Sequence, residues 1–188
     1  MSNCKSLERF RNIHKGEDVV LICNGPSLNN INFNLIQNKV LIGLNNIFLG
    51  FHKFNIYPKY YLAINKKVIE NSKTQINQLK CIKFTPTYCR NITKNSPLNY
   101  YLKVNPKKDF YHDINEGVQE GFTVTYVALQ LAYYMGFKKI IIIGLDHKYV
   151  FSGEPNKANF LKGKDINHFS DIYFANQSWD NPDLKNSE

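Results

Sequence analysis

A chain of 188 residues with 43% hydrophobic and 14% aromatic side chains can pack one core and is short for two. Lys and Arg number 24 against 15 Asp and Glu, a formal charge of +9, which points to an anionic partner such as nucleic acid, a lipid surface or a phosphorylated small molecule. No apolar run approaches the roughly 18 residues of a membrane span, and the N-terminus lacks the apolar stretch of a secretory signal.

Within the first 16 residues, Leu7, Phe10 and Ile13 recur at a spacing near three, which predicts a short amphipathic helix packed on a sheet edge. Residues 18–23, DVVLIC, form an apolar run of the kind seen in a central parallel strand. Asn24, Gly25, Pro26 and Ser27 stop it in a tight polar turn, where Gly25 lets a ligand approach the backbone. Residues 29–37 predict about one helical turn, 39–44 a second buried strand, and 47–54 a short helix. A third strand is expected over 59–64, a polar helix over 66–79 and a short fourth strand over 81–84. Residues 85–99 read as loop, 100–104 as an edge strand and 105–120 as irregular. Residues 121–135, GFTVTYVALQLAYYM, predict a helix buried on nearly every side, capped by Thr123 or Thr125 and ended by Gly136. A further strand follows over 138–143, and 145–188 reads as loop-rich. Strands alternating with helical stretches predict one α/β domain with a doubly wound, mostly parallel, Rossmann-like sheet and helices on both faces. The sequence stops without a closing element, as a piece of a longer protein would.

Asn24, Asn45 and Asn65 each end a predicted strand, and Gly144, Leu145, Asp146 and His147 end another. In a parallel sheet these positions share one rim, where ligands of open α/β sheets bind. Amides donate and accept, which suits base edges and sugar hydroxyls better than a divalent metal, although Asn also favours turns and caps. The N-terminus of the long helix, with Thr123 and Thr125, reaches the same rim if its crossover is right-handed, and would favour a phosphate there. His168 and His147 are candidate bases for an attacking hydroxyl. The chain has neither GxxxxGK[ST], nor GxGxxG, nor a DxD pair, so no metal site is assigned; Asp146 beside His147 is a weak metal pair. Cys4, Cys23, Cys81 and Cys89 lack metal-ligand spacing and read as free thiols of a reducing, cytoplasmic compartment. No nucleic-acid motif accompanies the positive charge.

The blocks VVLICNGPSL, VLIGLNNIFLGF, YPKYYLAIN and GFTVTYVALQLAYYMGFKKIIIIGLDH resemble the MptE-like family. That family includes an archaeal 6-hydroxymethylpterin diphosphokinase and the core of motility accessory factors in flagellin glycosylation. The same blocks are similar to bacterial CMP-sialic-acid-dependent sialyltransferases with a GT-A-like fold. The second likeness implies that Asn24, Asn45 and Asn65 contact donor nucleotide and sugar, that residues 121–125 lie by the donor, that Tyr149 assists the leaving phosphate, and that His168 is the base. MptE-like members often carry Asp where this chain has Asn65, which leans toward sugar transfer. The sequence after His147 departs from the sialyltransferases, so their acceptor does not carry over.

The expected function is transfer from a nucleotide-activated donor to a glycan or glycoconjugate, with no cofactor beyond the donor. Catalysis falls to His168, Tyr149 and His147, and binding to Asn24, Gly25, Pro26, Ser27, Asn45, Asn65, Thr123, Thr125 and Asp146. The rivals are an MptE-like diphosphokinase using ATP and Mg²⁺, and an inactive scaffold. Contact with the inner membrane surface and homo-oligomerisation are further expectations.

Overall fold

Four short apolar runs, each ended by a polar turn, become the centre of a six-stranded parallel sheet. The computed structural model describes residues 6–94, 96–107 and 109–187. The strands are β1 (Asp18–Ile22), β2 (Val40–Leu44), β3 (Tyr60–Leu62), β4 (Ile82–Pro86), β5 (Asn99–Leu102) and β6 (Lys139–Ile143), in the order β5-β4-β3-β2-β1-β6. Val19, Val20, Leu21 and Ile22 are fully buried because β1 is paired on both edges and covered on both faces.

The chain winds from β1 outward to β5, then crosses back over the sheet to β6 on the other side of β1. With right-handed crossovers, the two winding directions place their connections on opposite faces. One face carries α4 (Val124–Tyr134), packed with Val19, Leu21, Ile42 and Leu62. The other carries α1 (Phe51–Phe54), α2 (Lys66–Asn71) and α3 (Lys73–Gln78), above Val20, Ile22, Leu41 and Tyr61. Alternate residues of one strand thus feed two separate cores. Thr123 caps α4, its Oγ1 accepting from the Thr125 N–H at 3.3 Å. Gly136, at φ +81°, turns the chain out of the helix.

Several expectations are corrected. The N-terminal helix is a single 3-10 turn, Glu8–Phe10, and residues 1–5 lie outside the described residues. It sits on a sheet face, not an edge: Phe10 is buried edge-on against Phe84 and Tyr100, with ring centres 5.0 and 4.7 Å away, while Ile13 is exposed. The predicted helix 66–79 breaks at Ser72, whose hydroxyl donates to Asn46 Oδ1 at 2.9 Å. The stretch 145–188 is more than loop. It forms an antiparallel ribbon of β7 (Ala158–Leu161) and β8 (Gln177–Asp180), followed by α5 (Leu184–Ser187). Cys23, Cys81 and Cys89 are free thiols; Cys4 lies outside the described residues. Among the described residues, no helix is long and apolar enough to cross a membrane.

Candidate functional site

The winding reverses between β1 and β6, and a cavity of about 480 Å³ opens at the carboxyl ends of the strands. Asn24, Gly25, Asn45, Asn65, Thr123, Thr125, Asp146, His147, Tyr149 and His168 all line it. The fold therefore gathers these residues from six separated segments on one rim. Pro26 and Ser27 are not on the lining: Pro26 opens a 3-10 turn, and the Ser27 N–H is bound to Asp146 Oδ2 at 2.9 Å.

Asn24 is buried and ties two strands together, its Nδ2 donating to the Leu44 carbonyl at 2.9 Å. That leaves Asn24 Oδ1 buried without a partner among the described residues, as is Asn45 Oδ1. Asn45 is held at φ +46°, a conformation Asn tolerates. An unmatched buried acceptor costs about 1–3 kcal/mol. Two of them on adjacent strand ends are well placed to accept from hydroxyl or amino donors of a ligand. Asn65 lines the cavity too, but its amide is engaged within the fold. Oδ1 caps α2 through the Val68 N–H at 3.1 Å, and Nδ2 donates to Asp180 Oδ2 at 3.4 Å, while Lys67 pairs with the other oxygen of that carboxylate.

Gly25 is where the β1 and β6 loops touch. Its N–H donates to the Gly144 carbonyl at 2.8 Å, and a Cβ added there would lie 2.1 Å from Asp146 Oδ2. The first turn of α4 borders the cavity and turns the positive end of the helix dipole toward it, although Thr123 already accepts from the Thr125 and Tyr126 N–H groups. Thr125 faces inward, its hydroxyl 3.6 Å from Cys23 Sγ. Burial pushes the Cys23 thiol up to about 11, against the Thr125 hydrogen bond.

The segment after β6 supplies the titratable groups. His168 Nδ1 is 2.9 Å from Asp165 Oδ2, and the two side chains are 8% and 1% exposed. Asp165 is itself fixed by the N–H groups of Asn167 (2.8 Å) and Phe174 (3.2 Å). The imidazole stacks flat on Tyr173 at 3.8 Å and meets Phe174 edge-on. A carboxylate on Nδ1 selects the tautomer with its proton there, leaving Nε2 as the acceptor. Tyr149 lies edge-on to the same imidazole, with ring centres 5.9 Å apart. Burial, seconded by Cys23, Asp165 and Asp146, pushes its phenol above the ordinary 10, so it stays a hydroxyl donor at neutral pH. His147 is exposed on the rim at φ +47°.

Asp165, Tyr173 and Trp179 are the site residues that sequence reasoning missed. For Asp165 the only signal in the residues is the Asp-x-x-His spacing, which is common in polar loops. Among the described residues, no three His, Cys, Asp or Glu side chains gather as a metal-holding group.

The family described as 6-hydroxymethylpterin diphosphokinase MptE-like matches residues 1–152. The Asp165–His168 pair lies past that match. No curated protein matches the chain in sequence. Among solved structures, the Maf glycosyltransferase from Magnetospirillum magneticum AMB-1 is similar, with a TM-score of 0.53 and 14% identity. The likeness covers 88% of this chain and 31% of that one, so the chain spans about a third of the length of its structural neighbour.

Proposed function

The chain belongs to the MptE-like family, and from that premise we propose that it is a transferase acting on a nucleotide-activated donor, with a sugar as the group transferred to a glycan or glycoconjugate hydroxyl. The observation that carries this reading is the buried Asp165–His168 pair on the cavity that the strand ends and the α4 N-terminus border. Its similarity in fold to a protein titled a glycosyltransferase supports the same choice. In this reading Asn24 and Asn45 accept from donor hydroxyl or amino groups, and the donor phosphate lies against the first turn of α4. His168 Nε2 takes the acceptor hydroxyl proton as the new carbon–oxygen bond forms and the bond to the leaving phosphate breaks. The Tyr149 hydroxyl donates to the departing phosphate oxygen. Asp165 stabilises the imidazolium that results. A CMP-activated acidic sugar is the donor we favour, since the buried amide oxygens at two strand ends suit base and sugar donors and the basic chain suits an anionic donor.

The second reading, diphosphate transfer from ATP to a pterin alcohol, rests on the family description. It calls for Mg²⁺ beside the phosphates. Among the described residues no three His, Cys, Asp or Glu side chains gather to hold it; at the strand ends Asp146 accepts from the Ser27 N–H, and Asp180 is shared by Lys67 and Asn65.

Calorimetry with CMP, UDP, GDP and ATP, with and without Mg²⁺, separates the readings. Sugar transfer expects metal-independent binding of one sugar-carrying nucleotide type, and an unchanged affinity in His168→Ala alongside a transfer rate about 10²–10⁴-fold lower. ATP binding only with Mg²⁺ favours the diphosphokinase. Failure of every nucleotide to bind at millimolar concentration removes both and leaves a scaffold.

A further inference from the structure

The pole of the sheet opposite the cavity carries a concentration of charge that the transferase reading does not use. Five of the six strands of the sheet, all but β5, are approached through a lysine: Lys80 before β4, Lys59 before β3, Lys39 before β2, Lys15 before β1, and Lys138 with Lys139 at β6. The sheet order β4-β3-β2-β1-β6 sets these approaches side by side, over roughly 20 Å at about 4.8 Å per strand. Lys15, Lys59, Lys80, Lys138 and Lys139 are exposed, and Lys39 is partly exposed. The carboxylates in the same approaches are Asp18, paired with Lys39 at 2.7 Å, and Glu17, bound to the buried His14 at 3.0 Å. Helix C-termini also face this pole in a parallel α/β sheet, and that accounts for a lysine here or there.

It does not account for the apolar side chains among them. Ile13, Leu35 and Tyr57 are 47%, 78% and 61% exposed, and each stands in the same connection as one of the lysines: Ile13 with Lys15, Leu35 with Lys39, Tyr57 with Lys59. Beside Tyr57 a shallow cavity of about 390 Å³ has Phe33, Ile36 and Ile56 in its wall and Lys39 and Lys59 at its margin. A polyanion groove in a nucleic-acid binder pairs cations with stacking or base-reading groups. Cations alternating with protruding aliphatic side chains and a tyrosine are instead what a bilayer interface takes up. The ammonium groups meet anionic headgroups, the phenol sits at headgroup level, and the aliphatic chains lie below.

We propose that this basic, apolar-studded pole is a docking face for an anionic lipid surface. It turns the cavity mouth away from the bilayer. It stands whether or not the cavity binds a nucleotide.

The test is co-sedimentation of the full chain with vesicles of phosphatidylcholine alone or mixed with phosphatidylglycerol, at low and high salt. Binding is expected only to the anionic vesicles, and salt should weaken it. Replacing Lys59, Lys80 and Lys138 together by Gln should lower partitioning about fivefold per lysine, roughly a hundredfold in all. A Leu35→Ser, Tyr57→Ser double variant should lose vesicle binding while keeping its retention on heparin, which needs charge alone. These positions are on the surface, so unchanged thermal melting checks that each variant is folded. Equal sedimentation with neutral vesicles, or none with anionic ones, overturns the proposal. So does vesicle binding untouched by the Leu35 and Tyr57 changes, which would mark a generic polyanion patch.

Discussion

Gly25→Ala probes the contact on which the rim is built. Gly25 has φ −68° and ψ 162°, a conformation open to any residue, so an alanine brings no backbone strain of its own. Its methyl carbon would instead sit 2.1 Å from Asp146 Oδ2, 2.7 Å from Asp146 Cγ and 2.8 Å from the Gly144 carbonyl oxygen. The Asp146 side chain is exposed and can rotate away, at the cost of its hydrogen bond to the Ser27 N–H. The Gly144 carbonyl is backbone and accepts from the Gly25 N–H, so it yields only by shifting the β6 loop. Overpacking against backbone costs about 1–3 kcal/mol, and the lost exposed hydrogen bond adds about 0.5–1. A total of about 2 kcal/mol lowers the Tm of a chain this size by roughly 4–8 °C. Urea denaturation of the wild type, Gly25→Ala, Asp146→Ala and the double variant forms a cycle. Because Asp146 accounts for the two shortest contacts, its removal should return about half of the Gly25→Ala loss. A Gly25→Ala protein as stable as wild type, or a loss that Asp146→Ala leaves untouched, refutes the steric account.

Phe10→Ala should destabilise by about 3–5 kcal/mol in urea denaturation, since a fully buried ring with two edge-on partners under 5.1 Å is removed; a loss below about 1.5 would mean that the N-terminal turn is not part of the core. Cys23, at about 11 against an ordinary 9.0, holds roughly a hundredfold less thiolate at neutral pH than a free thiol, so iodoacetamide should label it slowly until the chain is unfolded. Equal rates in folded and unfolded protein would contradict its burial. The Asp18 carboxyl is held below its ordinary 3.8, first by the Lys39 hydrogen bond and then by the charges of Lys39, Lys138 and Lys139. A lowered folded-state value stabilises above 3.8 and is lost as pH falls through it. Lys39→Ala should therefore lower the urea midpoint near neutral pH, with the gap shrinking as pH falls below 3.8 and closing only below the lowered folded-state value; a gap that persists in stronger acid would point to packing instead.

The strand-and-turn skeleton was legible because β1, β2 and β3 are buried on both faces, and continuous apolar runs have no other home in a chain of this length. The convergence of Asn24, Asn45 and Asn65 followed from parallel geometry alone. What the amides do there was not legible: Asn65 spends its oxygen on capping α2, a role that depends on the helix starting at Lys66. The break at Ser72 was hidden because its cause, Asn46, is 26 positions away. The β7–β8 ribbon was missed since its strands, ANFL and QSWD, barely alternate and are half exposed. Asp165 could not be told from other loop acids until the fold buried it behind His168.

The segment bearing His168 is anchored to the sheet by main-chain atoms: the Phe169 N–H donates to the Asn24 carbonyl at 2.9 Å. A side-chain contact joins the same parts again: the Asn46 N–H donates to the Tyr173 hydroxyl at 3.2 Å. The first of these, peptide to peptide, is indifferent to side-chain identity. The exposed ribbon can therefore vary in sequence while the Phe169–Asn24 contact keeps the loop that bears the imidazole at the end of the first strand.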